Sequence, residues 1–159
     1  MTIDHTTRKA AKEGMKTVYK VTMAGRSINT WNPDVAVMYL PNTVVTPKLE
    51  GSLLFAFDSL PNAEKFVTHN AFQHYGVEIW ECETESYTHP LLVARYESDI
   101  KRFWAAVGVD GSNLLPVREY NLAWAWPPTG TVACSSLIPL RVVAVTGTTE
   151  GGDPVITRV

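Results

Sequence analysis

Leu53-Leu54-Phe55-Ala56-Phe57-Asp58-Ser59-Leu60-Pro61-Asn62-Ala63-Glu64-Lys65-Phe66 reads as a strand that passes directly into a helix. Gly51 introduces an apolar run too short for a typical helix, and turn residues bound it, which predicts a central strand covered on both faces. Asp58 or Ser59 then offers an oxygen to the first helical turn, Pro61 stands where its missing donor costs nothing, and Glu64 falls in the favourable N-terminal region. Ala63, Phe66 and Val67, extended by Phe72, make one apolar stripe. Gly76 closes the segment before another strand over 77–85, in which Val77, Ile79, Glu81 and Glu83 share one face and Glu78, Trp80, Cys82 and Thr84 the other. The side with Trp80 and Cys82 is the expected core face at the far end.

Working outward, Val18-Tyr19-Lys20-Val21-Thr22 is β-branched and aromatic and ends at Ala24-Gly25, a strand entering a turn. Residues 35–40 read as the next strand, with Pro41, Asn42 and Pro47 marking a loop. Residues 91–96 give a short strand or extended link. Ser98 and Asp99 then open a segment whose Ile100, Phe103, Trp104 and Val107 recur at i, i+3, i+4 and i+7, the clearest helical pattern in the chain. Residues 110–113 form a loop, 116–126 are rich in aromatics, and Pro127-Pro128 end that segment. Closing strands are expected over 131–133 and 138–145, with Gly147, Gly151 and Gly152 leaving a polar tail.

This pattern gives an α+β fold: an antiparallel or mixed β-sheet with two main helices in a single domain over 15–146, a flexible N-terminal arm over 1–14 and a polar tail over 147–159. Met15 looks like a second possible start. The length of 159 residues fits one ordinary domain, and 45% hydrophobic against 19% charged residues supplies a proper core. A net charge of -2 gives no footprint for duplex nucleic acid, although a local basic pocket stays open. No apolar run is long enough for a membrane span or a secretory signal, so no membrane partner is expected and the location read from the sequence is cytoplasmic. Two cysteines, Cys82 and Cys134, are too few for a disulfide framework or zinc cluster.

Two constellations could carry chemistry. Alternation places Glu81 and Glu83 about 7 Å apart on one strand face, close enough to perturb each other's ionisation in a cleft. The pair looks like the E-x-E element of Arg-specific ADP-ribosyltransferases, with Arg26 and Ser27 as crude counterparts of the upstream Arg and Ser; the Ser-Thr-Ser element of that family is missing. Two Glu on a solvated strand face are also common. The second constellation is cationic and aromatic: Arg95, Tyr96, Lys101, Arg102, Phe103, Trp104, then Arg118, Tyr120, Asn121, Trp124 and Trp126. Guanidinium groups fork onto phosphate oxygens and aromatic faces stack on bases, which makes a nucleotide pocket without a nucleophile. Against this, Phe103 and Trp104 suit a core helix face, and Trp124 or Trp126 suit dimer contacts. His69 and His74, five apart, miss the helical metal spacing and fit a solvated helix end. No G-x-S-x-G, P-loop or G-x-G-x-x-G occurs.

Val18-Tyr19-Lys20-Val21, the 53–66 run and Val77-Glu78-Ile79-Trp80-Glu81 together form a strand, strand-helix, strand cassette. It resembles small phage-encoded proteins and is most similar to the first family of Thoeris anti-defence proteins, the cyclic-nucleotide sponges. The likeness covers about half the chain and continues weakly at Gly130-Thr131-Val132-Ala133 and Pro139-Leu140-Arg141. It implies an antiparallel sheet with helices, a homo-oligomer (dimer or higher), and sequestration of a cyclic ADP-ribose isomer or cyclic oligonucleotide without cleavage and without a cofactor. Under that reading Arg95, Arg102 or Arg118 would clamp phosphates and Tyr120 or Trp124, beside Asn121, would stack a base. The alternatives are an ADP-ribosyltransferase or NAD glycohydrolase relative using Glu81 and Glu83, and an accessory or host-factor-binding protein.

Overall fold

β1 (Lys16–Met23) turns back through Ala24 and Gly25 into β2 (Arg26–Ser27). Their φ angles of 53° and 78° are the positive pair that a two-residue hairpin between right-twisted strands requires. The structure is a computed structural model describing residues 14–28, 33–90, 93–94, 103–104 and 124–159. The remaining strands are β3 (Leu54–Phe57), β4 (Val77–Thr84), β5 (Tyr87–Thr88), β6 (Val93–Ala94), β7 (Trp124–Ala125), β8 (Thr131–Cys134), β9 (Ile138–Thr148) and β10 (Pro154–Arg158). One helix, α1 (Leu60–His69), and a 3-10 turn at Phe72–His74 complete the described elements.

The fold is α+β. A single eight-stranded sheet runs in the order β10-β9-β4-β1-β3-β8-β5, with β2 paired to β1, and every pairing is antiparallel; β6 and β7 make a separate small ladder. β3 is therefore interior, as the short apolar run predicts. Ser59 caps α1 by accepting from the Asn62 N–H at 3.2 Å, and Asn62 Nδ2 donates to Asp58 Oδ1 at 2.9 Å. Gly130, at φ 82°, fits closely behind this turn, where its carbonyl accepts from Asp58 N at 2.9 Å.

Each sheet face is covered by a different layer. Ala63 and Val67 of α1 are fully buried against Val21, Phe57, Val77, Ile79 and Ala144. Burial of each larger aliphatic in this layer contributes about 1.5–3 kcal/mol. On the opposite face Val18, Leu54, Ala56, Cys82, Val132 and Cys134 lie beneath Tyr39 and Val45 from the 33–53 segment. That segment is pinned by backbone bonds: Tyr39 N to Gly25 O, Asn42 N to Pro139 O, and a reciprocal pair between Val45 and Leu137.

Three differences from the sequence reading have physical causes. Residues 35–40 form no strand: flanked by Pro33 and Pro41, the segment crosses the sheet face and gives the Tyr39 N–H to the hairpin tip instead of a ladder. Residues 147–159 hold the end of β9 and all of β10, and Arg158 forks onto Glu64 of α1 at 2.8 and 3.1 Å. Of the two expected helices, α1 is described; the second lies outside the described residues except for Phe103 and Trp104, which are helical, with Phe103 2% exposed. The 1–14 arm lies outside them save Gly14.

Candidate functional site

β1 and β3 are joined by one ladder pair, Tyr19 with Phe57, and then part. Past that point β1 takes β2 as its partner at Thr22 and Met23, while β3 stays paired to β8. A cavity of about 280 Å³ opens where the two strands separate. Residues of both faces border it, Lys20 and Val21 from β1 and Ala56 and Phe57 from β3, and Val37 and Leu49 close it from the 33–53 segment. Its volume sits just under the range of about 300–1,000 Å³ of ordinary small-molecule pockets, and its lining is mostly apolar.

Lys20 is the charged residue in that lining among the described residues. It is 5% exposed; its Nζ donates to the Phe55 carbonyl oxygen at 2.5 Å and lies 4.9 Å from the centre of the Tyr39 ring. The Tyr39 hydroxyl hydrogen-bonds Ser27, so the hairpin orients the ring that receives the ammonium. Burial brings the Lys20 ammonium down to about 8, against the opposing effect of the nearby Cys82 and Cys134 thiols. Burial also raises the Tyr39 phenol, and pushes Cys82 up to about 12 and Cys134 to about 11. Both thiols are free and buried, hence poor nucleophiles.

The second wall is aromatic. Phe55 and Trp104 stack with ring centres 5.4 Å apart and planes 22° from parallel, and Trp104 meets Phe103 edge-on at 5.1 Å. Phe55 and Trp104 both border the cavity, where a third π system can meet their rings.

The expected site residues fall apart in location. Arg95, Arg102, Arg118, Tyr120 and Asn121 lie outside the described residues, and Trp124 is placed by its backbone in β7 opposite Ala94. Glu81 and Glu83 do lie on β4 as the alternation predicts, but neither borders the cavity. Glu81 stands opposite Arg141 on β9 and pairs with it at 2.6 Å. Arg26 and Ser27 sit on β2 at the hairpin, where Ser27 serves Tyr39. His69 and His74 are exposed at the end of α1 and in the 3-10 turn. No cluster of three or more metal-ligating side chains occurs among the described residues, and no helix there is long and apolar enough to cross a membrane.

In sequence Lys20 is not recognisable as a buried cation, because Val18-Lys20-Thr22 looks like a strand face with solvent at its middle position. The available signal was the expectation that Trp80 and Cys82 face the core, since Lys20 is directly opposite Trp80 in the β1–β4 ladder. No protein-family model, curated protein or solved structure matches the chain.

Proposed function

We propose that this protein binds a small molecule without transforming it and withholds it from solution, with a cyclic nucleotide signal as the ligand. The observation that carries the reading is the composition of the cavity between β1 and β3: a stacked aromatic pair, Phe55 and Trp104, and one buried cation, Lys20, on an otherwise mostly apolar lining. Such walls hold a base by stacking and a charge by electrostatics. The carboxylate candidates for acid/base work, Glu81 and Glu83, are absent from the described lining, and Glu81 is engaged by Arg141. This favours retention over turnover. The resemblance to Thoeris anti-defence sponges supplies the ligand class, the cytoplasm of an infected bacterium as the setting, and homo-oligomerisation as part of the proposal. Arg95, Arg102 and Arg118 are then the groups that would extend the site onto further phosphates.

The test is to incubate the purified protein with a panel of cyclic nucleotides, cyclic ADP-ribose isomers and NAD, denature it by heat and identify what the supernatant releases by mass spectrometry. Depletion followed by intact recovery of one compound is the expected result. A cleaved product would move the function to Glu81 and Glu83, to be checked with Glu83→Gln, and no depletion would leave a protein partner as the function.

A further inference from the structure

From the geometry around Lys20 we infer that the cavity between β1 and β3 selects a ligand with one flat ring and one negative group, the ring against Phe55 and Trp104 and the anion on Lys20 Nζ. This rests on the small-molecule reading above and specifies what the Lys20 end of the cavity takes: one negative group, such as a single phosphodiester.

Lys20 is more than nine-tenths buried and borders the cavity, yet no carboxylate among the described residues pairs with it. An ammonium has three donors. One goes to the Phe55 carbonyl, and the Tyr39 ring receives the charge through its face. Among the described residues no third acceptor meets Nζ, so donor capacity is left over in a largely apolar space. A buried charge without a partner is costly, and an incoming anion offsets that cost where a neutral group does not. The same reasoning sets the charge at this end of the cavity: one cation neutralises one anionic group.

The structural alternative is that Lys20 only ties β3 to β1 where their ladder ends. The two are separated with a pair of probes that share a ring system: 8-anilinonaphthalene-1-sulfonate, which carries one negative charge, and N-phenyl-1-naphthylamine, which carries none. Binding of each is measured by fluorescence to the wild type and to Lys20→Met. The anionic probe is expected to bind the wild type about tenfold or more tighter than the neutral one, the size of one charge-assisted hydrogen bond. In Lys20→Met that ratio falls to near one while the neutral probe still binds. A ratio that is near one in the wild type, or unchanged in the variant, or binding of neither probe, overturns the inference.

A second measurement needs no variant. Cyclic AMP, a monoanion, should displace the neutral probe from the wild type at about one-tenth the concentration needed for uncharged adenosine; equal displacement overturns the inference. The two readings fail separately. Charge-selective, Lys20-dependent probe binding with no cyclic nucleotide retained removes the proposed signal and keeps the site. Retention of a cyclic nucleotide with charge-blind probe binding does the reverse.

Discussion

Lys20 Nζ donates to the carbonyl oxygen of Phe55, a side chain of β1 reaching the backbone of β3 next to the point where the ladder between the two strands ends. The contact joins two strands that share one register pair, so it matters to the fold as well as to the cavity. It also places an ammonium in largely apolar surroundings.

That placement predicts a pH dependence with a definite sign. The folded-state value of about 8 lies below the ordinary 10.5, so between those values the unfolded chain keeps a proton that folded Lys20 has released. Stability from this group therefore rises with pH across the window, is complete above it, and is lost as pH falls through about 8. A shift of this size is worth on the order of 3 kcal/mol. Comparing denaturant unfolding of the wild type and Lys20→Met from pH 7 to pH 10 isolates it: the wild type should gain on the variant as pH rises. A constant difference across the series would show that Lys20 is solvated in the folded protein.

The two thiols titrate in the opposite sense. Cys82 and Cys134 are held protonated in the fold up to about 12 and about 11, above the ordinary 9, so their contribution is present below 9 and is lost as pH rises beyond it. Their burial has a more direct reading. At pH 8, Ellman's reagent should find neither thiol in the native protein and both after denaturation in guanidinium. Rapid labelling of either one without denaturant would place it on an accessible surface.

Gly130 is predicted to resist replacement by any residue with a side chain. Its φ of 82° strains any L side chain, and an added Cβ would fall 2.6 Å from Asp58 Oδ1 and closer still to Asn62 Nδ2, the pair that closes the start of the helix. Gly130→Ala should cost about 2 kcal/mol or more through strain and the broken turn, read as a lowered denaturant midpoint with an unchanged slope. A midpoint within error of the wild type would mean that the turn relaxes without loss.

These positions show what the sequence discloses and what it withholds. The strand-to-helix passage at 53–66 was readable because its signals are local: a short apolar run, Ser59 as cap, Pro61 in the first turn and a stripe at Ala63 and Val67. The closing strands β8 and β9 were readable for the same reason. Residues 35–40 have the composition of a strand but cross the sheet face, and that depends on distant partners, Gly25, Leu137 and Pro139, that no local pattern encodes. β10 went unread because glycines and polar residues precede it and β9 supplies its order. The cavity was least legible of all. It exists because β1 changes partner from β3 to β2 after Tyr19, and Tyr39, arriving from the 33–53 segment, lays its ring against Lys20.

The cap at Ser59 separates stability from ligand binding. Its side chain satisfies the Asn62 N–H at 3.2 Å on the side of β3 that leads into α1, and Ser59 does not border the cavity. Ser59→Ala leaves that donor without its partner and should cost about 1 kcal/mol, whereas Ser59→Asp keeps an acceptor at the cap and adds a favourable charge at the helix N-terminus. Thermal or denaturant unfolding should therefore rank Asp at or above Ser, with Ala lowest. Binding of the anionic naphthalene probe should be unchanged in all three at a temperature where each is folded. If Ser59→Ala weakened the probe as strongly as Lys20→Met, the start of α1 would control the separation of β1 from β3, and the cavity would depend on the helix as well as on the hairpin.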